Sequence, residues 1–547
     1  MTTIAELEAQ IVAMKAVSDR NFLLRSAFTV LTMQGGFAAL EAGCVRKRNS
    51  ANIMAKNLTD IGVGAISYWA LGYGLSYGIH DGWSNGFAGT ADFFISSESE
   101  HLAAWVFQFS FAATASTIVS GAWAERTKFS FYVFFSFLLN LFVYPIAAHW
   151  IWASDGFFAK DSPNNPFPEG TADFAGGTVV HLLGGTAGLV GTIILKPRHQ
   201  RFTSDDWDVV DPFQMILGLF VLFWGWYGFN SGSTQGLSGN RDYVAATVCL
   251  NTTISAGGAL LVSIMFCLIK SRGKVVDIAT MVNATLAGLV GITPACAFVS
   301  APASIGIGVI TCCTVLTADF LLPKLRIDDP VSAFPVHGVG GITGMLLTGI
   351  FAQPDAHNVY NYKGLIHGGG FWLLFMQLTS CLCVIAWTAV CTVLIVLPAR
   401  LLGMVRVSIA DEVRGLDYSE HRVGQSDMEK SVMQRITKYI ETITNDKKTM
   451  LNPSASGGGL DQMSDFGDNG FTSHFSGSGR PEHVSDAEIA RIVQMTHPLH
   501  TESIRTFDTI DELELLPGQS EHPSGSSIAN GIEFTAASSV LDADESA

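Results

Sequence analysis

The sequence predicts an all-α polytopic membrane protein with eleven transmembrane helices, arranged as a five-plus-five inverted repeat, and a largely disordered polar tail. Three observations predict this fold. The 547 residues are 48% hydrophobic and only 15% charged, which is too apolar for an ordinary soluble protein of this length. Apolar runs of membrane-spanning length recur along the chain, and basic residues collect in every second connection between them.

The apolar runs define the predicted spans, because about 20 apolar residues are needed to cross the hydrocarbon core of a bilayer. They lie at residues 24–43, 52–77, 102–124, 130–152, 174–195, 210–231, 243–269, 277–299, 302–322, 331–352 and 371–399. The chain therefore divides into an N-terminal segment (1–23), a membrane domain (24–403) and a C-terminal tail (404–547).

Lysine and arginine alternate between the connections, with thirteen in one set and three in the other. The basic set is Arg46, Lys47, Arg48, Arg126, Lys128, Lys196, Arg198, Arg201, Lys270, Arg272, Lys274, Lys324 and Arg326. Charges scattered between buried helices of a soluble protein would not alternate in this way. The positive-inside rule then places the basic connections and the tail in the cytoplasm and the N-terminus outside. The first twenty residues lack a basic start followed by an apolar segment, so we expect no cleaved signal peptide. This expectation and the long tail are compatible with a plasma membrane, which is the location we predict.

The tail differs sharply in composition from the membrane domain. From Gly403 onward it has 24 Asp and Glu against 11 Lys and Arg, which is −13 of the net charge of −16. A Gly- and Ser-rich stretch at 454–479 predicts disorder, and short amphipathic segments around 433–443 and 485–493 predict helices. All nine cysteines lie in or beside apolar runs without a CxxC pair, so no disulfide framework, metal site or cofactor is expected.

Two segments repeat the same pattern, D-x7-H-x2-G-G-x2-G. The fifth span opens with DFAGGTVVHLLGGTAGL from Asp173, and the tenth opens with DPVSAFPVHGVGGITGML from Asp329. Five spans separate the copies, so the second copy must cross the membrane in the opposite direction. Many transport proteins have such inverted repeats, with their working groups near the midplane where the repeats meet. We therefore expect His181 and His337 to face each other.

The two histidines allow three interpretations. A single buried histidine is commonly a satisfied core residue, but two at equivalent positions of a repeat favour a function. A neutral imidazole can donate from one nitrogen and accept at the other, which suits a pore that handles a proton carrier. A metal site would need further ligands, and neither thiolates nor clustered carboxylates lie nearby in the sequence.

Asp173 and Asp329 begin the two repeat segments. If the fifth span is helical from its start, Asp173 lies about two turns from His181 on a similar face. The carboxylate could attract a cation, or it could cap the helix and orient the entrance, and we favour the cap because carboxylates stabilise helix N-termini. Asp329 is expected to play the matching role at the other end of the pore.

Aromatic residues are abundant near the predicted outer ends of the spans. They include Phe107, Phe111, Trp150, Trp152, Trp224, Trp226, Tyr227 and Phe229. They could form the aromatic belt usual at membrane interfaces. They could equally form a cage whose ring faces attract a cation, with the Ser233 hydroxyl as a hydrogen-bond acceptor.

The motifs resemble those of the Amt/Mep/Rh ammonium transporters. DFAGGTVVH, GWYGFNSGS, GAWAER and VHGVGGITG carry the resemblance, which covers residues 21–421 and is nearest to the Amt branch. It implies a homotrimer of eleven-helix subunits, each with its own pore for ammonium or methylammonium. It also implies neither catalysis nor nucleic-acid binding.

The resemblance also assigns roles to individual residues. Phe107, Phe111, Trp152 and Ser233 match the outer recruitment site, although Trp150 competes with Trp152. Phe111 and Phe229 match a stacked gate, His181, His337 and Trp226 match the pore lining, and Asp173 matches the structural aspartate. Gly415 and Ser419 match a regulatory Gly and a phosphorylatable Thr, which implies a kinase or cytosolic regulator as partner.

Three other functions are considered. A sensor would combine the same fold with a tail that reports occupancy, but the intact histidines and aromatic residues favour conduction. A redox or metal enzyme would need clustered histidines or paired cysteines. A retinal protein would need a Schiff-base lysine in the last span, and 371–399 contains none.

Overall fold

The computed structural model describes residues 3–80, 85–203 and 211–424, all within the first of two units, Met1–Lys448. These residues form helices joined by turns, with an isolated antiparallel bridge between Thr127 and Arg406. The all-helical membrane fold is thus confirmed. The helices and disorder predicted beyond residue 424 lie outside the described residues.

The helices follow the predicted spans closely. They are α1 (Ile4–Leu31), α2 (Met33–Cys44), α3 (Ser50–Ser67), α4 (Tyr73–Tyr77), α5 (Leu102–Ala122), α6 (Phe129–Trp152), α7 (Gly177–Leu195), α8 (Pro212–Gly232), α9 (Arg241–Ser271), α10 (Ile278–Ile292), α11 (Ala301–Lys324), α12 (Phe334–Phe351), α13 (Trp372–Leu401), α14 (Ile409–Arg414) and α15 (Leu416–His421).

Eight of these helices are long and apolar enough to cross a membrane, considering the described residues alone. The helix α10 is apolar but shorter, at 15 residues. The first two predicted spans are broken helices: α1 and α2 meet at Thr32, and a π-helical turn over Tyr68–Gly72 joins α3 to α4. Eleven crossings are consistent with this set.

The first helix begins twenty residues before the predicted span. Thr3 and Glu6 form a capping box, in which each side chain accepts a hydrogen bond from the other's backbone N–H. Further along, Asp19 accepts hydrogen bonds from the backbone N–H groups of Leu237 and Ser238. The polar start of α1 is therefore an ordered extension of the first span.

The repeat helices α7 and α12 pack against each other reciprocally. A Cβ on Gly185 would lie 2.4 Å from the backbone nitrogen of Gly338, and one on Gly341 would lie 2.6 Å from the carbonyl oxygen of Gly177. Gly185 follows His181 by four residues and contacts Gly338, which is next to His337. In the same way, Gly341 follows His337 by four residues and contacts Gly177, one turn before His181. Such close backbone approach requires glycine and brings the two histidines together.

The basic connections share one face of the bundle, which we call the basic face. There Arg198 forms ion pairs with Glu125 and Asp328, each at 2.8 Å. Burial alone would raise the pKa of Asp328, but the hydrogen bonds and charge of Arg198, with the charge of Arg126, hold it well below its usual range. This network ties the connections before α6, α8 and α12 into one rigid surface.

Residues 404–424 pack on the basic face. The Arg406 guanidinium donates to the Leu195 carbonyl oxygen at 2.6 Å and pairs with Glu412 at 2.8 Å. The Asp417 carboxylate accepts from the backbone N–H groups of Ala51 and Asn52, at the first turn of α3. The start of the predicted tail is therefore structurally continuous with the membrane domain.

Candidate functional site

A cavity of about 350 Å³ lies at the opposite face of the bundle. Its walls combine aromatic, polar and charged side chains from several helices and connections. They are Tyr73, Tyr77, Asp92, His101, Ala104, Phe107, Gln108, Phe111, Trp152, Phe174, Ser233 and Gln235. All four residues assigned to the recruitment site by resemblance thus line this vestibule.

The structure separates the two competing tryptophans. Trp152 lines the vestibule, its ring centroid is 5.9 Å from that of Phe111, and its Nε1 donates to the Asp173 carbonyl oxygen at 2.7 Å. Trp150 is buried elsewhere, and its Nε1 donates to the Phe87 carbonyl oxygen. Side chains two residues apart on a helix point in different directions, so only one of them faces the cavity.

Two phenylalanines close the floor of the vestibule. The rings of Phe111 and Phe229 stack with centroids 4.0 Å apart and an interplanar angle of 14°. Both side chains are almost fully buried, and the Phe107 centroid is 4.7 Å from that of Phe111. Ser233 lies one turn above Phe229 and donates its hydroxyl to the Phe229 carbonyl oxygen, so its oxygen lone pairs stay available as acceptors.

The histidines lie immediately behind this aromatic pair. The Nδ1 atoms of His181 and His337 are 3.2 Å apart, and the His181 ring lies over Phe229 at 5.6 Å and over Trp226 at 5.3 Å. One imidazole must donate to the other across that contact, which fixes opposite tautomers while both rings are neutral. Trp226 is held in place because its Nε1 donates to the Thr293 hydroxyl.

Each histidine lies in a π-helical turn, over Gly177–Leu182 in one repeat and over Phe334–Val339 in the other. Such turns are rare and are frequent at functional sites. The wider turn rotates the side chains that follow it relative to a regular α-helix. The local backbone thus matches in both repeats, a correspondence that the sequence pattern alone did not predict.

Both aspartates are caps at helix starts and not members of a helix. The Asp173 carboxylate accepts from the four backbone N–H groups of residues 176–179, at 2.6–3.2 Å. The Asp329 carboxylate accepts from Val331 and Phe334. The α7 helix begins only at Gly177, so the expected two-turn helical spacing between Asp173 and His181 is wrong, and its carboxylate is engaged by backbone groups.

Some vestibule residues were missed by the sequence reasoning. Gln108 and Tyr77 line the cavity, and the Gln108 Oε1 and the Tyr77 hydroxyl have no hydrogen-bond partner among the described residues. Gln108 lies between Phe107 and Phe111 in an apolar span, and a polar residue there was a usable signal. Tyr77 gave no such signal, because a tyrosine at a span end is the usual interface residue.

The two assigned regulatory residues lie on the basic face. Gly415 has φ +102°, and a Cβ there would lie 2.7 Å from the Arg48 side chain and backbone, so this position requires glycine. The Ser419 hydroxyl donates to the Gly415 carbonyl oxygen at 3.1 Å. Both residues therefore lie where the tail meets the connection between α2 and α3.

The fold defines a class: the multi-pass membrane transporters that are built from two inverted repeats. The sequence comparison then gives the family. The Ammonium Transporter Family model matches residues 21–426, and the chain belongs to that family. Its relatives are named as transporters, so the protein is not an enzyme.

Relatives come from distant branches of life. "Ammonium transporter Amt2" of Archaeoglobus fulgidus is 37% identical over 422 residues, covering 74% of this chain and 87% of its own. "Ammonium transporter 1 member 3" of Solanum lycopersicum is 35% identical over 429 residues, covering 73% and 91%. A Caenorhabditis elegans protein also named as an ammonium transporter is 34% identical over 448 residues, and this chain spans 63% of its length.

Solved structures show the same fold. Mep2 of Saccharomyces cerevisiae has a TM-score of 0.64 and 27% identity, covering 72% of this chain and 89% of its own. A structure described as "Sensor Amt Protein" has a TM-score of 0.65 and 29% identity, covering 75% of this chain and 99% of its own.

Proposed function

We propose that the chain takes ammonium from the vestibule and conducts it as ammonia along the two histidines, with the proton moving separately. The observation that supports this most is the alignment of three layers: the vestibule, the stacked Phe111–Phe229 pair and the bonded His181–His337 pair. Voltage clamp of the expressed protein under stepped ammonium, methylammonium and potassium tests it. Equal currents for ammonium and potassium would contradict the proposal.

The proposed path solves a selection problem. Potassium resembles ammonium in size and charge but cannot donate a hydrogen bond or lose a proton. At the vestibule floor, ring faces would attract either cation, and the Ser233 oxygen would accept a hydrogen bond from ammonium only. Beyond the phenylalanine pair only a neutral molecule crosses without a large desolvation penalty, and ammonium alone has a neutral form.

The orientation follows from the charges. The basic face would lie in the cytoplasm, with the vestibule outside and the tail inside, as the positive-inside rule requires. The family resemblance adds a homotrimer in a plasma membrane, with one pore per subunit. Native mass spectrometry of the detergent-solubilised protein would give the subunit number.

Replacing Trp152 with leucine should weaken the apparent ammonium affinity. The indole face is removed from the vestibule, and the loss of one cation–π contact corresponds to about 2- to 30-fold in affinity. The measurement is the concentration dependence of ammonium current. Trp150→Leu is the matched control, because Trp150 lies outside the vestibule, and an affinity change in that variant alone would reverse the assignment.

Placing a charge at Ser419 should lower transport. A phosphate or carboxylate there would add negative charge beside Asp417 and Glu420 and displace the hydroxyl from the Gly415 carbonyl oxygen. We expect Ser419→Asp to reduce current about fivefold or more, the lower end of typical coupling between distant sites. Ser419→Ala is the control, and unchanged current in Ser419→Asp at equal surface expression would remove this regulatory role.

Sensing is a second candidate, favoured by the similarity to the structure described as "Sensor Amt Protein". A sensor would bind ammonium in the vestibule without carrying a matching current. Binding and current measured on the same preparation distinguish the two functions.

A further inference from the structure

Three ionisable side chains are buried inside the first two spans, and the proposed path uses none of them. Glu41 is 2% exposed, and Lys56 and Asp60 are fully buried. Ionisable groups within membrane spans cost free energy to bury. Those that occur there often mark pathways for ions or protons. The cluster that they form lies between α2, α3, α5 and α6.

The two carboxylates of this cluster are bonded differently. Asp60 accepts a hydroxyl hydrogen bond on each oxygen, from Tyr132 and Ser136, both at 2.6 Å. The Thr117 hydroxyl lies 3.1 Å from the same carboxylate and 2.6 Å from the Gln34 amide oxygen, to which it can donate instead. Glu41 accepts on Oε2 only, from the Asn57 amide at 2.9 Å and the Ser120 hydroxyl at 3.2 Å. Within the described residues nothing donates to its Oε1, so Glu41 has an oxygen free to take a proton.

Glu41 also shares a cavity with His337. The volume of this cavity is about 10 Å³, close to the smallest volume that can hold one water molecule. Its other walls are apolar: Phe37, Leu40, Ile118, Leu286, Val331, Ala333 and Val336. A water molecule in this cavity would therefore have two polar side-chain partners, the Glu41 carboxylate and the His337 imidazole, and could pass a proton between them.

The charges around Glu41 are unequal. The charges of Asp60 and Lys56 act on Glu41. The two carboxylates, Glu41 and Asp60, thus share one positively charged side chain, Lys56. Beyond them, Lys56 has one neighbour of each sign, Arg126 and Glu420. With every group ionised, the three buried residues carry one net negative charge, and a single proton neutralises them.

We infer that Glu41 accepts the proton that leaves the histidine pair and passes it towards the basic face. Ammonium in the vestibule gives ammonia and a proton, the proton crosses on His181 and His337, and the Glu41 carboxylate becomes a neutral carboxyl. It then releases the proton on the inner side, where ammonia takes it up again as ammonium. This inference rests on the proposed function and assigns the group that receives the charge.

A purely structural cluster would hold four helices together without exchanging protons. Glu41→Gln separates these roles, because glutamine keeps the side-chain volume and an acceptor for Asn57 and Ser120 but cannot take a proton. The purified full-length protein would be reconstituted in vesicles. Two quantities would be measured per protein: the current evoked by an ammonium step, and methylammonium accumulation in vesicles with an acidic interior, corrected for empty vesicles.

We expect the current of Glu41→Gln to fall at least about tenfold, because a positioned proton acceptor contributes that much or more to the rate of proton transfer. Methylammonium should still accumulate, since the acidic interior protonates the amine that arrives. Wild-type current, or the loss of current and accumulation together, would overturn the inference. Asp60→Asn removes the excess negative charge that favours a proton on Glu41, so it should also lower the current, but by less than Glu41→Gln because the accepting carboxylate is kept. A larger loss in Asp60→Asn than in Glu41→Gln would overturn the assignment to Glu41.

His181→Ala in the same vesicles separates this inference from the proposed function. Low current in His181→Ala with normal current in Glu41→Gln would overturn the role of Glu41 alone. Normal current in His181→Ala with low current in Glu41→Gln would overturn the histidine route and support Glu41 as a proton acceptor on another path.

Discussion

Replacing either His181 or His337 with alanine should reduce ammonium current per surface-expressed molecule by at least about tenfold, because a positioned proton-transfer group contributes that much or more. Each imidazole is the only hydrogen-bonding side-chain partner of the other among the described residues. Alanine would leave the remaining ring without that partner and open a space beside it. A proton crossing the lumen would then have one group in place of two.

The same variants have a second expected effect. If water enters the enlarged lumen, potassium gains a hydrated route and the preference for ammonium falls. The measurement is current divided by surface protein, in ammonium and in potassium, for wild type and both variants. A pair that only supports the fold predicts less protein at the surface with normal current in each molecule, and that result would contradict the histidine path.

The sequence predicted the helices well because the apolar runs correspond to the lipid-covered length of each span. It missed the breaks inside the first two spans, at Thr32 and at Tyr68–Gly72. In the second span, Lys56 and Asp60 are buried among neighbouring helices, and Tyr68–Gly72 forms a π-helical turn. Neither feature changes the hydropathy of the run enough to be read from the chain.

The candidate site was partly predictable. The repeat pattern placed His181 and His337 at equivalent positions of oppositely directed spans, which is enough to expect them to meet. It favoured Asp173 as a cap but could not place the start of the helix at Gly177, because helix boundaries are the least certain part of such a prediction. Nor could it show that Trp152, and not Trp150, faces the vestibule, since both lie in one apolar run and only tertiary packing distinguishes their directions.

Glu41 escaped the sequence reasoning for a related reason. It lies near the inner end of the predicted span 24–43, where hydropathy does not distinguish a buried carboxylate from one that reaches the membrane surface. Its burial depends on Asn57 and Ser120, which belong to two other spans. Polar contacts between distant spans are the part of a membrane protein that composition and periodicity do not encode.

Gly185→Ala is the second change with a large expected effect. The added Cβ would lie 2.4 Å from the nitrogen and 2.7 Å from the Cα of Gly338, and backbone atoms in the middle of a packed helix cannot move aside alone. The helices α7 and α12 would have to separate next to His337, at a typical overpacking cost of about 1–3 kcal/mol. We expect a lower thermal midpoint of the purified protein together with a loss of current per molecule.

Two further variants make this result interpretable. Gly341→Ala is the symmetry-related change, with a Cβ 2.6 Å from the Gly177 carbonyl oxygen, and should act in the same direction. Gly257→Ala is the control, because a Cβ at Gly257 has nothing within 4 Å, and alanine favours the α9 helix by up to about 1 kcal/mol. Only a contact between the repeats explains loss at Gly185 and Gly341 without loss at Gly257. Wild-type stability and current in Gly185→Ala would show that the histidines do not depend on this close approach of the two helices.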